Sequence, residues 1–554
     1  MRVALFTLNS QFVHSSLALR YLQAASVDLP IELSLLEYQI NDDQRTILAE
    51  LGRLNPDLIA CSCYIWNVEK TLAILRDLKQ VMPQLVVVLG GPEVGPRAEE
   101  LLKTEACIDY VIVGEGERAF RQLLLALSNQ SPGPVPGVFG HSPVASNRLQ
   151  APMPVGEVPE AYHPGQLNQL AHKLVYVETS RGCPLRCSYC LSAGDKLRFF
   201  PMERVLRELD VLLAADIPLI KFVDRTFNAN PERAMQIMRY LLDHRGASRF
   251  HFEICADLLT EDMLQFMSSV PPGIFQLEIG VQSTNPPTLR AINRKSDWSS
   301  LAATIARLQA GKNLALHLDL IAGLPEQDWD SIAQSFNRAI SLLPDRLQLG
   351  FLKVLPGTPM KAQVAAGGYA VSQHAPYEVL ESPWLKFSQL NQLHLLEQVL
   401  EDYYNSGLAR ETLSYLIKTK PTQPFQLFNQ FAQFRRAQGW DNQRHNQEAL
   451  LDQLAAWLNP DRLLSDLLTI DRARTSSSWQ AGWRLPDRWR APWSEYLNRH
   501  LSLFAPRTYK QAQRSVFPVA LAPFTLEYYQ QPRGMVAVVD QKKKSLLEFI
   551  ALPQ

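Results

Sequence analysis

No run of about 18 consecutive apolar residues occurs anywhere in the chain, which excludes a bilayer-spanning helix from the pattern. An excess of one charge is missing too. Lysine plus arginine and aspartate plus glutamate number 55 each, so no global field steers the protein toward nucleic acid or an anionic membrane. A local basic patch is compatible with that balance. Met1 to Ser10 enters a strand-like run without the charged, apolar and small-residue zones of a leader, so a cytoplasmic protein is expected. Cysteine is scarce and odd in number, with seven in 554 residues, which excludes a disulfide framework and suits a reducing compartment. No internal repeat or long low-complexity segment is present, and no G-x-G-x-x-G follows the first strand, which argues against an ordinary dinucleotide site.

What is present is ordinary globular composition, 46% hydrophobic and 20% charged, over a length that implies about three domains. Residues 1–130 alternate strand patterns (Val3–Thr7, Ile31–Glu37, Leu58–Ser62, Leu85–Leu89, Tyr110–Val113) with amphipathic helices such as Val68–Val81 and Glu117–Ser128. This alternation predicts an α/β, Rossmann-like, doubly wound parallel sheet with its ligand at the strand carboxyl ends. Residues 131–172 are proline-rich and aperiodic, as in an extended linker. Over 173–366 strand patterns recur at Leu174–Glu178, Leu219–Val223, His251–Cys255, Phe275–Ile279, Leu314–Leu320 and Leu347–Lys353. Six βα units fit a partial (β/α)6 TIM-like barrel, with the chemistry on the loops after the strands. Residues 367–554 predict a mostly helical domain that includes a long helix over Phe387–Tyr404. It ends in a hairpin of Phe524–Tyr529 and Met535–Val539 around Pro532-Arg533-Gly534.

The loop after the first barrel strand reads Glu178-Thr179-Ser180-Arg181-Gly182-Cys183-Pro184-Leu185-Arg186-Cys187-Ser188-Tyr189-Cys190. Gly182 and Pro184 keep it out of a helix, so three thiolates at C-x3-C-x2-C spacing can wrap a compact inorganic core. Cubane clusters normally take four cysteines, and three leave one iron for a non-protein ligand. A structural zinc site wants four closed ligands, and only one C-x2-C pair is present. Cys255, far downstream at a strand end, is a fourth ligand only if the fold happens to bring it there.

This loop is similar to that of the radical SAM superfamily, in which a [4Fe-4S] cluster chelates and reductively cleaves S-adenosylmethionine (SAM). The resemblance covers Leu174 to Lys353 and makes Cys183, Cys187 and Cys190 the cluster ligands, with Tyr189 beside SAM. Glu278-Ile279-Gly280-Val281-Gln282-Ser283 resembles the family's E-x-G-x-Q-S segment, which implies SAM contacts for Glu278, Gln282 and Ser283. Asp319-Leu320-Ile321-Ala322-Gly323-Leu324-Pro325-Glu326 resembles the adenine-binding G-x-I-x-G-x-x-E, with Asp319 in place of the first glycine. Ile321 would pack on adenine while Gly323 lets the backbone turn closely. Asp224, His317 and Lys353 are weaker substrate candidates, against helix capping, a hydrogen-bonded core histidine and salt bridging respectively.

In the first domain, Leu89-Gly90-Gly91-Pro92-Glu93 and Val113-Gly114-Glu115-Gly116-Glu117 place glycines at consecutive strand ends, beside Ser62, Tyr64 and Trp66. These segments resemble the cobalamin-binding domain that precedes many radical SAM cores. The resemblance implies contacts from Ser62, Tyr64, Trp66, Gly90, Gly91, Pro92, Glu93, Gly114, Glu115 and Gly116. No D-x-H-x-x-G supplies an axial histidine, and His14 in the first loop is a weak substitute. Cys61, Cys63 and Cys107 raise a methylthiotransferase-like second cluster, against the commoner role of free cysteines as small buried hydrophobes.

Together the resemblances imply a cobalamin-dependent methyltransferase acting on an unactivated carbon. Cobalamin-assisted rearrangement or another radical C–H transformation stands as an alternative, and a cluster or cobalamin redox sensor as the non-enzyme alternative. A reducing partner such as flavodoxin or ferredoxin is expected, and no membrane. A Trp/Arg stretch (Trp479, Trp483, Arg484, Arg488, Trp489, Arg490, Trp493) makes nucleic acid a conceivable but less favoured partner.

Overall fold

The computed structural model describes residues 1–128, 133–419 and 423–475, and the backbone of strands at Val516–Ala520, Met535–Asp540 and Ser545–Ala551. The Trp/Arg stretch and the expected strand at Phe524–Tyr529 lie outside the described residues. Two compact units are formed: Met1–Asp328 with Gly350–Phe387, and Trp329–Leu349 with Ser388–Gln554.

The first unit opens with β1 (Arg2–Asn9), α1 (Leu17–Ala24), β2 (Glu32–Gln39), α2 (Gln44–Leu54), β3 (Leu58–Ser62) and α3 (Val68–Val81). It continues with β4 (Val86–Gly90), α4 (Ala98–Thr104), β5 (Tyr110–Ile112), α5 (Gly116–Leu127) and β6 (Val138–Gly140). The sheet order is β2-β1-β3-β4-β5-β6. β1 through β5 pair in parallel and are covered on both faces, which is why β1, β3 and β4 read as near-continuous apolar runs. Ser16 and Asp43 accept hydrogen bonds from the first turns of α1 and α2 and start those helices. The chain leaves β1 for one edge and returns on the other side at β3, which creates a crevice above their carboxyl ends. One departure from the linker expectation is β6. Val138–Gly140 of the proline-rich segment pair antiparallel with β5 and occupy an edge that would otherwise expose its backbone groups.

The second sheet contains β7 (Leu174–Val177), then, after a two-residue pair β8 (Ser180–Arg181) and β9 (Arg198–Phe199), α6 (Met202–Ala214), β10 (Leu219–Phe222), α7 (Pro231–His244) and β11 (Arg249–Ile254). It goes on through α8 (Glu261–Ser269), β12 (Phe275–Gln282), α9 (Pro286–Ala291), α10 (Trp298–Ala310), β13 (Ala315–Ala322), α11 (Trp329–Ser341) and β14 (Arg346–Phe351). Strand order is strictly sequential, β7-β10-β11-β12-β13-β14, the topology of a barrel left open between its first and last strands. β12 and β13 alternate buried and partly exposed residues throughout. Leu277, Ile279, Leu316 and Leu318 pack outward under the helices, while Glu278, Gly280, His317 and Asp319 face inward. α12 (Pro359–Ala366) and the short pair β15 (Ala370–Val371) and β16 (Val379–Glu381) follow.

The second unit packs α11 with α13 (Phe387–Val399), α14 (Arg410–Thr419), α15 (Pro424–Ala437), α16 (Gln447–Leu458) and α17 (Arg462–Thr475). Phe336 of α11 meets Phe425 and Phe428 edge-on, and Tyr403 meets Phe431. Buried Asp471 accepts the Glu411 and Thr412 N–H groups, both at 3.0 Å, and so caps α14 from another helix. The expected Phe387–Tyr404 helix forms but changes character: after Val399 it widens into a π-helical turn, Leu400–Asn405. That turn lets the Asn405 amide bond both the N–H and the C=O of Leu347 at 2.9 Å. At the end of the chain β17 (Val516–Ala520), β18 (Met535–Asp540) and β19 (Ser545–Ala551) form an antiparallel sheet.

Candidate active site

The cysteine loop is held at its root by Asp224. This buried carboxylate, just past β10, accepts from the Thr179 N–H (2.9 Å), the Thr179 hydroxyl (2.7 Å) and the Ser180 hydroxyl (2.5 Å). Burial raises its pKa, and the Ser180 and Thr179 bonds work against that rise. Asp224 thus ties two strand ends together instead of facing a cleft or capping a helix. Beyond it β8 pairs with β9, closing the loop as a hairpin-like arch. Gly182 has φ +93°, and a β-carbon there would lie 2.5 Å from the Lys196 carbonyl oxygen, so only glycine fits. Replacing Asp224 with alanine strands three buried donors and should destabilise the unit by about 3 kcal/mol. Denaturant midpoint and iron uptake should both fall, and an unchanged midpoint would refute the anchoring role.

Cys183, Cys187 and Cys190 line a cleft of about 190 Å³ together with Tyr189, Arg225, Glu253, Glu278, Gln282, Arg294 and Asp319. Cys183 and Cys187 are 8% and 6% exposed, and Cys190 is half-buried. Burial raises the Cys190 thiol, offset by a bond at Ser192 and by the Arg225 charge. The Arg294 guanidinium reaches the Cys187 sulfur at 3.7 Å and also donates to the Gly280 carbonyl. Burial works against its charge, but Tyr189 and Cys187 beside it more than compensate. Glu278 accepts from His251 (2.8 Å) and Lys221 (3.2 Å). Burial alone would raise its carboxyl, yet these partners hold it at about 2. Gln282 sits where the β12–β13 register slips, at φ +64°, and its buried amide oxygen has no partner. Ile321 and Gly323 (φ +86°) follow on β13 and the turn after it.

Other expected residues have different occupations. The Ser283 hydroxyl accepts the Asn285 N–H at the entry to α9. His317 is bonded to the Gln276 amide and lies 5.9 Å, ring to ring, from His251, deeper in the strand layer. Lys353 follows β14 and bridges its backbone to Glu378. Arg294, Arg225 and Glu253 carry no signal in the sequence, because no spacing pattern links them to the cysteines. The Cys255 backbone is clamped by both ends of the Asn228 amide, at 2.8 and 2.9 Å, and its thiol lines the same cleft.

In the first domain a mostly apolar cavity of about 160 Å³ opens at the strand ends, walled by Ala60, Ser62, Tyr64, Val88, Gly90, Gly91, Pro92, Gly114 and Gly116 among others. Gly91 is needed for packing: at φ +114°, a β-carbon would meet the Cys63 carbonyl at 2.4 Å. Gly114 (φ +88°) has open space where a β-carbon would stand, and Gly90 has only Ile112 at 3.9 Å. Trp66 stacks on Tyr64, with centroids 4.4 Å apart. Glu93 is engaged by Arg97 (3.0 Å) and Tyr377 (2.5 Å). Glu115 pairs with Arg198 and, at 3.5 Å, with Arg181, which also binds Glu117 and Glu178. Both carboxylates are thus bonded within the unit, and neither lines the cavity, while the second oxygen of Glu93 is buried without a partner. His14 is bonded to and stacked on Tyr176. Cys61, Cys63 and Cys107 are buried in the apolar core of the sheet, where desolvation raises all three thiols. A Gly90→Phe side chain should fill the cavity with little strain. Cobalamin retained on gel filtration should then drop to background while the melting temperature holds, and undiminished cobalamin would assign the cavity no such role.

Three family models match the chain: the B12 binding domain over residues 4–124, the radical SAM superfamily over 177–339, and a protein of unknown function, DUF4080, over 367–488. Residues 177–339 thus match a radical SAM domain. More particularly, the chain carries a cobalamin-binding domain ahead of the radical SAM domain and a DUF4080 domain behind it. The 2-(S-pantetheinyl)-carbapenam-3-carboxylate methyltransferase of Streptantibioticus cattleyicolor is 27% identical, over 58% of this chain and 50% of that protein. The cobalamin-dependent radical SAM methyltransferase TokK of Streptomyces tokunonensis is 26% identical, over 56% and 48%. The chain thus spans about half the length of these two relatives. Among solved structures, the cobalamin-dependent SAM radical enzyme OxsB shares the fold with a TM-score of 0.61 at 15% identity, over 90% of this chain and 83% of that one.

The two domain types bring a [4Fe-4S] cluster with SAM, and cobalamin, as their cofactors. The residues present fit both. Cys183, Cys187 and Cys190 line one open cleft, which leaves room for a multi-iron core between them. The partnerless Gln282 oxygen is an acceptor awaiting a donor in that cleft. At Gly90 and Gly114 the cavity is open where side chains would close it. Among the described residues no helix is long and apolar enough to cross a membrane.

Proposed function

We propose that the protein is an enzyme that cleaves SAM reductively and methylates an unactivated carbon of its substrate. The observation that carries this reading is the single cleft onto which the three cysteines, the Arg294 cation and the unsatisfied Gln282 oxygen converge. When bound, the cluster supplies the electron for SAM cleavage and cobalamin supplies the methyl group.

The chain's own part is placement and electrostatics. Cys183, Cys187 and Cys190 hold the iron, and Asp224 keeps their loop in register. Arg294 sets a positive charge against thiolates that gather negative charge, in a site where water screens it little. Glu278, kept ionised by His251 and Lys221, is an acceptor for ammonium or hydroxyl groups of SAM. Gln282 offers a second acceptor, while Ile321 and Gly323 provide an apolar strand end for the adenine ring. Ser62, Tyr64, Gly90, Pro92 and Gly114 form the cobalamin cavity.

The test is anaerobic reconstitution with iron, sulfide and cobalamin, then reduction, SAM addition and product analysis. 5′-Deoxyadenosine together with S-adenosylhomocysteine supports methyl transfer. 5′-Deoxyadenosine without S-adenosylhomocysteine would replace methyl transfer by rearrangement, and failure to assemble a cluster would overturn the reading.

A further inference from the structure

The segment that follows β14 is bonded both to the cysteine loop and to the first domain. At the loop, the Met360 N–H of α12 donates to the Ser188 carbonyl at 2.9 Å, between Cys187 and Cys190. A β-carbon at Gly357 would lie 3.7 Å from Leu191, the residue after Cys190, and only 3.0 Å from Pro96 in the turn after β4. Tyr377, between β15 and β16, closes a triangle with that turn. Its hydroxyl donates to Glu93 Oε1 at 2.5 Å. One Arg97 nitrogen donates to the same carboxylate oxygen at 3.0 Å and to the Tyr377 oxygen at 2.6 Å. Glu93 is 1% exposed and its other oxygen is buried without a partner, so among the described residues these two donors hold the carboxylate. Glu93 directly follows Gly91 and Pro92, which wall the cavity of the first domain. Tyr377 takes φ +57°, a left-handed backbone that is costly for an aromatic residue. Its N–H donates to the His374 carbonyl and its carbonyl accepts the Val354 N–H, both at 2.9 Å, which holds it in that conformation.

We propose that Tyr377 is a positioning residue: through Glu93 it sets the spacing between the cobalamin cavity and the cluster cleft. The inference rests on the reading above, in which both cofactors bind. That reading asks two cavities to serve one carbon of the substrate, and a misplacement of about 1 Å at such a junction costs on the order of a hundredfold in rate. The segment after β14 suits the task because it is bonded to a wall of each: at Ser188, beside Cys187, and at Glu93, beside Pro92. Packing alone would need no more than the apolar contact of Gly357 with Pro96. A buried, half-satisfied carboxylate and a strained tyrosine add cost that packing does not explain, and such features are kept where function needs them. Burial and the bond to Glu93 push the Tyr377 hydroxyl above its ordinary value, so it keeps its proton and the triangle persists near neutral pH. Reductive cleavage of SAM uses the cluster cleft alone and does not depend on this spacing, whereas methyl donation does.

The experiment compares wild type, Y377F and E93Q, each the full chain reconstituted anaerobically with iron, sulfide and cobalamin. Y377F removes one hydroxyl and keeps the ring. Reduced cluster and cob(II)alamin are both paramagnetic, so pulsed electron paramagnetic resonance reads the distance between them. In Y377F that distance should lengthen or its distribution broaden. S-adenosylhomocysteine, the remnant of a donated SAM methyl, should fall about tenfold. Formation of 5′-deoxyadenosine, iron and cobalamin content should match wild type. E93Q keeps a neutral acceptor for the Tyr377 hydroxyl and should lie between the two. Melting temperature is recorded for all three. A Y377F protein with the wild-type distance and the wild-type ratio of the two products would overturn the proposal. So would loss of both products together with a lowered melting temperature, which would assign the bond to stability alone. If wild type takes up no cluster or no cobalamin, the reading on which the proposal rests has itself failed.

Discussion

Cys187→Ala protein, reconstituted anaerobically, is expected to carry iron only at background level and to form no detectable 5′-deoxyadenosine from SAM. Three thiolates already leave a cubane one ligand short of the usual four, and two do not hold it. No neighbouring thiol can take over. Cys255 lines the cleft, but its backbone is clamped by Asn228 and burial raises its thiol. The matched control is Cys255→Ala, which should retain both iron and SAM cleavage. Iron content and product formation, measured side by side, decide the matter. A Cys187→Ala protein that keeps its iron, or a Cys255→Ala protein that loses it, would reassign the ligand set.

Arg294→Ala should slow SAM cleavage by about a hundredfold, roughly 2.7 kcal/mol of lost stabilisation. The guanidinium bridges the Cys187 sulfur and the Gly280 carbonyl, so its removal strips the site of a positive charge held directly against a cysteine. Arg294→Lys keeps the charge but not the fork of donors, and should recover only part of the rate. Iron per chain is measured alongside, so that a lost cluster is told from a slowed reaction. A rate unchanged in Arg294→Ala would show that the charge is structural.

The strands and helices of both sheets were legible because each carries its own periodicity. Helix Val68–Val81 is an example: its apolar stripe shows in its own residues without reference to the rest of the chain. The Val138–Gly140 strand was hidden among prolines. It forms because β5 offers it a free edge, not because its own sequence favours a strand. The Phe387–Tyr404 helix was legible in extent but not in its final turn, whose widening answers to the distant Leu347 backbone. At the site, the cysteine loop and the β12 and β13 strand ends stood out by spacing. Asp224 was noticed but its use was not, since its partners Thr179 and Ser180 lie on another strand. Glu93 and Glu115 looked like ligand contacts at strand ends. In the fold they also bond Arg97 and, far along the chain, Tyr377, Arg198 and Arg181.

By itself, then, the amino-acid sequence determined the order of the domains, the strand–helix alternation and the three-thiolate loop. Those depend on residue type and short-range spacing, which a chain carries whether folded or not. The tertiary structure alone decided which charges meet. It turned Arg294 onto Cys187, paired Glu278 with His251 and Lys221, and left the Gln282 oxygen unsatisfied beside them. Such pairings join residues from different strands and loops, and their strength comes from burial that exists only once the strands lie side by side.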